Sequence, residues 1–167
     1  MSKNKAQKIL AIDPGTKFMG VAFFEGKELI YHGVKSIPNM KSPLEKLQEG
    51  RRIILRLIYD FKPNILVVEK TFFPNNKNSA LLNAFTNEIQ SIGRKQGLKV
   101  STIATNTVRK HICENGFASK EETAKVLVTR YPELKPYLTS NRRWKEKFYR
   151  NMFDAVALGS AVATHSL

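Results

Sequence analysis

Two short apolar runs, each ending in an acid, constrain this chain more than any other feature. Lys8-Ile-Leu-Ala-Ile-Asp13 and Ile65-Leu-Val-Val-Glu69 show no polar alternation. A strand that faces water on one side alternates, whereas a strand covered on both faces reads as an unbroken apolar run. Both runs are therefore expected to be central strands of a sheet layered by helices. A carboxylate at the end of such a strand costs free energy unless something compensates it. Asp13 is one of only three aspartates, with Asp60 and Asp154.

The remaining chain supplies the other layers. Residues 18–24 and 28–36 read as strands joined by a turn at Glu25-Gly26-Lys27, so the first three strands form a meander. Pro43 opens a helix to about residue 59, with Leu44, Leu47, Ile54, Leu57 and Ile58 on one face. A helix over 78–96 closes at Gly97, and a strand over 99–103 follows. Helices are expected over 106–114 and 120–130, the second opened by a capping box, Ser119-Lys-Glu-Glu122. Residues 139–148 read as a polar loop, and 149–165 as a last helix rich in small residues. The order βββ-α-β-α-β-α implies an α/β fold: one mixed five-stranded sheet covered by helices. A single domain over 1–167 is expected, with residues 1–7 a mobile basic arm.

If the two acid-ended strands are neighbours, Asp13 and Glu69 emerge at one end of the sheet, where open α/β sheets build their sites. Asp154, among Met152, Phe153 and Val156 of the last helix, is the third candidate. Taken singly, Asp13 before Pro14-Gly15 is also an ordinary turn acid, and Asp154 an ordinary helix acid. Convergent carboxylates repel one another, and a hard divalent cation relieves that repulsion. Magnesium, with manganese as a substitute, prefers such oxygen ligands. Two ions about 3.5–4 Å apart would activate a water and stabilise the leaving oxygen of a phosphodiester.

Charge points to the same substrate. Lys and Arg number 28 against 14 Asp and Glu, a net charge of +14. A domain this basic is expected to meet a polyanion, nucleic acid first. The single Cys113 excludes a disulfide framework and a cysteine-built zinc site, and His32, His111 and His165 show no ligand spacing. No apolar run is long enough for a signal peptide or a membrane span, so a cytoplasmic location without membrane partners is expected.

Candidate DNA contacts are Phe72 and Phe73, in a polar stretch just after Glu69, and Arg109, Lys110 and Lys120, near the starts of two short helices. Arg142, Arg143 and Lys145 belong to the run from Arg142 to Arg150, which holds five basic and three aromatic residues. Such interleaving suits splayed single strands, and equally a docked partner. The stripe Leu81, Leu82, Phe85 and Ile89 serves either a subunit interface or the core.

Four segments, in order, resemble the RuvC-type Holliday junction resolvases. They are Ile9-Leu-Ala-Ile-Asp-Pro-Gly-Thr16 with Gly20-Val-Ala22, and Val67-Val-Glu69 with Phe72 and Asn78-Ser-Ala-Leu81. Thr107-Val-Arg-Lys110 with Ala118-Ser-Lys120 is the third, and Asp154-Ala-Val-Ala-Leu158 the fourth. The resemblance implies a ribonuclease-H-like fold and a homodimer. It implies magnesium-dependent paired nicks at a four-way DNA junction, leaving 5′-phosphate and 3′-hydroxyl ends. It makes Asp13, Glu69 and Asp154 the catalytic metal ligands, and Phe72 an aromatic that enters the junction centre. A branch-migration helicase complex is a further expected partner. One position departs from the family pattern. Asn151 stands one helical turn before Asp154, where the family carries an acid or histidine. Its amide oxygen can ligate a metal but lacks charge and cannot act as a base.

Two other readings remain. A catalytically weakened junction-binding module is favoured by Asn151 and opposed by the three retained acids. An actin- or sugar-kinase-like ATPase needs two lobes, more than 167 residues supply. No Gly-x-x-x-x-Gly-Lys-Ser/Thr loop is present either.

Overall fold

Strand β1 (Lys8–Asp13) lies at the middle of a five-stranded sheet of order β3-β2-β1-β4-β5. The computed structural model describes residues 5–70, 77–138 and 143–165. Strands β2 (Phe18–Glu25) and β3 (Glu28–Ser36) complete an antiparallel meander with β1. Helix α1 (Pro43–Phe61) crosses back to β4 (Ile65–Lys70), which lies parallel to β1. Helix α2 (Lys77–Lys95) leads to β5 (Lys99–Ala104), parallel to β4. Helices α3 (Thr105–Cys113) and α4 (Lys120–Arg130) follow, then a 3-10 turn at Pro132–Leu134, α5 (Lys135–Leu138) and α6 (Arg143–His165).

The unbroken apolar runs have the expected cause. On one face, Ile9 and Ala11 of β1 and Ile65 and Val67 of β4 pack with α3, α4 and α6. On the other, Leu10, Ile12, Leu66 and Val68 pack with α1 and α2. Successive side chains alternate between two buried faces, so neither face leaves a polar signature.

Close approach of α6 to the sheet depends on Gly20. A Cβ there would stand 1.8 Å from the Asn151 carbonyl oxygen, so a side chain at this position would push α6 away from β2.

Two expectations change, and one open alternative is decided. Residues 143–148, read as loop, form the first turns of α6. Lys, Arg and Glu are good helix formers, and Phe148 docks on Phe18 with ring centroids 5.2 Å apart, so a polar segment extends the helix beyond the core. Leu44 is 63% exposed, because it sits in the first turn of α1, while Ile54, Leu57 and Ile58 are buried. Phe85 and Ile89 are buried in the core against α1 and the sheet, so neither is available to a subunit interface. Leu81 packs beside them.

Candidate active site

The parallel pairing of β1 with β4 aligns Ile12 with Val68. Asp13 and Glu69 are the next residues on each strand, so both acids leave the sheet at the same level and end. Asp13 is 6% exposed and Glu69 is half-buried. The two carboxyl groups face each other, and hydrogen bonding between them favours the protonated form of Asp13. Helix α6 brings Asp154 over them. Asp13 feels the charge of both Asp154 and Glu69.

Burial is the main cause that pushes the Asp13 carboxyl well above the usual aspartate range. Repulsion from Asp154 and Glu69 and the bond to Glu69 add to it, and Lys120 opposes it. Burial also raises Asp154, against the pull of Lys120 and Arg109. Three carboxylates are thus held together where they cannot all ionise at low cost.

Lys120 Nζ donates to Asp154 Oδ2 at 3.1 Å. Lys120 is the first residue of α4, and its place is fixed by the expected capping box. Ser119 Oγ accepts from the Glu122 amide at 3.1 Å, and Glu122 Oε2 accepts from the Ser119 amide at 2.6 Å. Thr105 Oγ1 donates to Glu69 Oε1 at 2.5 Å. A small cleft of about 20 Å³ opens among Glu69, Thr105, Arg109, Lys120 and Asp154, enough for about one water-sized occupant.

Asn151 lies in α6 one turn before Asp154, and its Nδ2 donates to the Phe18 carbonyl at 2.6 Å. The amide therefore clamps α6 to the start of β2, a role that a carboxylate cannot fill. Arg109 is half-buried and faces the cleft from the middle of α3 rather than from its start. Lys110 is exposed outside the cleft lining. By backbone position, Arg143 and Lys145 stand in the first turn of α6. Phe72, Phe73 and Arg142 lie outside the described residues.

Two residues escaped the sequence reading. Thr105 follows β5, which is paired to β4 through Glu69↔Ile103 and Lys70↔Ala104, so it arises beside Glu69. Its signal was a hydroxyl at a strand end next to the acid-ended strand. Phe117, three residues before Lys120, is 95% exposed. A lone aromatic between Gly116 and Ala118 in a polar turn was its only mark.

The donor set suits a hard divalent cation: carboxylate oxygens from three separate elements, desolvated and mutually repelling. Among the described residues, no group of three His, Cys, Asp or Glu side chains stands arranged to hold a metal as it is. The Lys120 ammonium on Asp154 offsets part of the acidic charge instead. A cation of this class would be held by Asp13, Glu69 and Asp154 once Lys120 gives up Asp154.

A meander followed by two parallel strands, with acids at the ends of the central pair and a third on the last helix, defines a ribonuclease-H-like nuclease. The sequence pattern described as crossover junction endodeoxyribonuclease RuvC matches residues 9–141. The chain belongs to that family, whose members are divalent-metal-dependent nucleases. Relatives of the same description include one from Neorickettsia sennetsu, 28% identical over 165 residues, with 95% of this chain and 93% of that protein covered. Another, from Bdellovibrio bacteriovorus, is 32% identical over 124 residues, covering 71% and 74%. Thermus thermophilus RuvC, solved with a Holliday junction substrate, superposes with a TM-score of 0.75 at 17% identity, covering 96% and 94%. The yeast mitochondrial Holliday junction resolvase Ydc2 gives 0.67 at 13% identity, covering 95% and 78%. These two likenesses concern the fold.

Proposed function

We propose that this chain resolves four-way DNA junctions by paired hydrolytic nicks, leaving 5′-phosphate and 3′-hydroxyl ends, with Asp13, Glu69 and Asp154 as its catalytic carboxylates. The observation that carries this reading is the register of β1 on β4. It sets Asp13 beside Glu69, with Asp154 near them and Arg109 and Lys120 lining the same cleft, in a chain of net charge +14. Magnesium, or manganese in its place, is the proposed cofactor, with two ions at work. When bound, the metal neutralises the carboxylates and activates a water for in-line attack on phosphorus.

The chain's own groups do the rest. Arg109 and Lys120 line the cleft and hold the scissile phosphate, an electrostatic contact that positions without reading sequence. Lys120 exchanges its carboxylate partner for a phosphate oxygen, which frees Asp154 for the metal. Thr105 fixes the rotamer of Glu69, and Asn151 fixes the height of α6 and so of Asp154. Lys110 and the basic start of α6, with Arg142, Arg143 and Lys145, extend the phosphate track. Phe72 and Phe73 are proposed DNA contacts, Phe72 at the junction centre.

A four-way junction has two like-polarity strands to cut, so a homodimer with two-fold symmetry is part of the proposal. A branch-migration helicase complex is the proposed supplier of junctions. Incubation of a synthetic junction and a matched linear duplex with magnesium tests the reading. Nicks in the junction alone support it, and equal nicking of both overturns it. One observation favours a junction-binding module: Lys120 already closes on Asp154. Tight junction binding without nicking in either metal would establish that alternative.

A further inference from the structure

Beside the carboxylates lies a second, larger cavity that the reaction as described does not use. Its volume is about 310 Å³, at the low end of the roughly 300–1,000 Å³ typical of small-molecule sites. It lies between α4, α5 and the first half of α6, and Lys120 and Asp154 belong to its wall as well as to the catalytic cleft. The two spaces therefore meet at the Lys120–Asp154 pair. Tyr137, Tyr149 and Phe153 give it an aromatic lining, while Lys125 and Arg150 add positive charge against one further acid, Glu121.

The rings are held in place. Tyr137 and Tyr149 meet edge to face with centroids 4.7 Å apart, and Tyr149 meets Phe148 at 5.1 Å. Phe148 in turn meets Phe18 at the start of β2. Phe153 packs by one side against the core and presents the rest to the cavity. Unlike its neighbours in this row, it has no ring partner among the described residues.

A flat, apolar ligand with a phosphate beside it meets these requirements. We infer that the cavity receives one unstacked nucleobase of the cleaved strand, adjacent to the scissile phosphate held by Arg109 and Lys120 beside the three carboxylates. Every base has a π-face, so aromatic walls accept it without reading sequence, while Lys125 and Arg150 meet the phosphates on either side. Removing a base from a duplex stack costs a few kcal/mol, and least where pairing is already interrupted. The branch point of a junction is such a place, and the linear duplex is not. The cavity thereby adds to junction selectivity. This inference rests on the nuclease reading above.

A double-mutant cycle between protein and DNA tests it. An abasic analogue is moved through the two nucleotides on each side of the nick. Wild type is compared with Phe153→Ala, and with Phe153→Tyr, which keeps the ring. Nicking rate in magnesium and junction affinity in chelator are both read. Phe153→Ala is expected to lower either quantity roughly 5- to 150-fold, the range for one lost base–ring stack. Phe153→Tyr is expected to restore it. At one position the abasic analogue is expected to cost wild type the same factor and Phe153→Ala nothing further. Losses that multiply at every position would overturn the inference and leave the nuclease reading intact. Failure of wild type to bind a junction at all would overturn both.

Discussion

The Lys120 ammonium lies 3.1 Å from Asp154 Oδ2, in the place where a carboxylate cluster calls for a cation. The pair is partly exposed, at 49% and 24% of the two side chains. An ion pair of this kind contributes at most about 1 kcal/mol to stability. Its larger meaning is positional, since the same ammonium can hold either Asp154 or a substrate phosphate. Lys120→Met is therefore expected to change thermal stability little. It is also expected to lower nicking about 100-fold or more and to flatten the salt dependence of junction affinity. Calorimetry and a binding series in salt would separate these effects. A variant that nicks normally would remove Lys120 from the proposed phosphate site.

Asp13 makes a prediction of opposite sign for stability and for activity. Burial and its acidic neighbours raise its folded-state pKa above the unfolded value. For an acid shifted in this direction the folded state holds its proton longer. Stability therefore falls as pH rises through the window between the two pKa values, and the loss persists above it. Asp13→Asn removes that cost. In chelator at neutral pH its melting temperature is expected to exceed that of the wild type. Each 1 kcal/mol gained corresponds to about 2–4 °C for a domain of this size. Saturating magnesium should shrink the difference, and nicking should vanish. A variant less stable than wild type in chelator would mean that the three acids are not under mutual strain.

Asn151→Asp places an acid one helical turn before Asp154, yet here the amide nitrogen donates to the Phe18 carbonyl. The substitution removes a donor and sets a carboxylate oxygen against a carbonyl. A cost of about 1 kcal/mol in chelator is expected, at the low end for an acceptor left unpaired because this contact is only part-buried. Urea unfolding with and without magnesium would measure it. Equal stability in chelator would show that the clamp does not hold α6.

Thr105→Val keeps shape and removes the hydroxyl that bonds Glu69. Groups that orient a metal ligand are worth about 10–100-fold in affinity or activity. Nicking at limiting magnesium is expected to fall within that range and to recover in part as magnesium rises. A loss that magnesium does not relieve would assign Thr105 a role other than orienting a ligand.

How much of this was legible depends on how local the cause is. The central strands were readable because burial on both faces writes an unbroken apolar run from Ile9 to Ile12 into β1. The convergence of Asp13 and Glu69 followed once those strands were paired. Asn151 was read for its place one turn before Asp154. Its actual partner is a backbone carbonyl 133 residues away, which leaves no trace in side-chain pattern. The start of α6 was misread because its charged residues suit a solvated helix as well as a loop. Among the described residues, the Phe148–Phe18 contact, made in three dimensions, ties this segment to the fold as a helix. Phe85 and Ile89 show the same limit from the other side. A stripe at helical spacing does not say whether a neighbouring helix or a second subunit covers it.

The central claim is that three acids from β1, β4 and α6 form one hydrolytic site. The most direct measurement incubates a four-way junction with wild type and with Asp13→Asn at fixed salt, in magnesium, in manganese and in chelator. The account expects symmetric paired nicks with wild type in either metal, none in chelator, and none from the variant despite tight binding. Nicking that persists in Asp13→Asn, or in chelator, would contradict it.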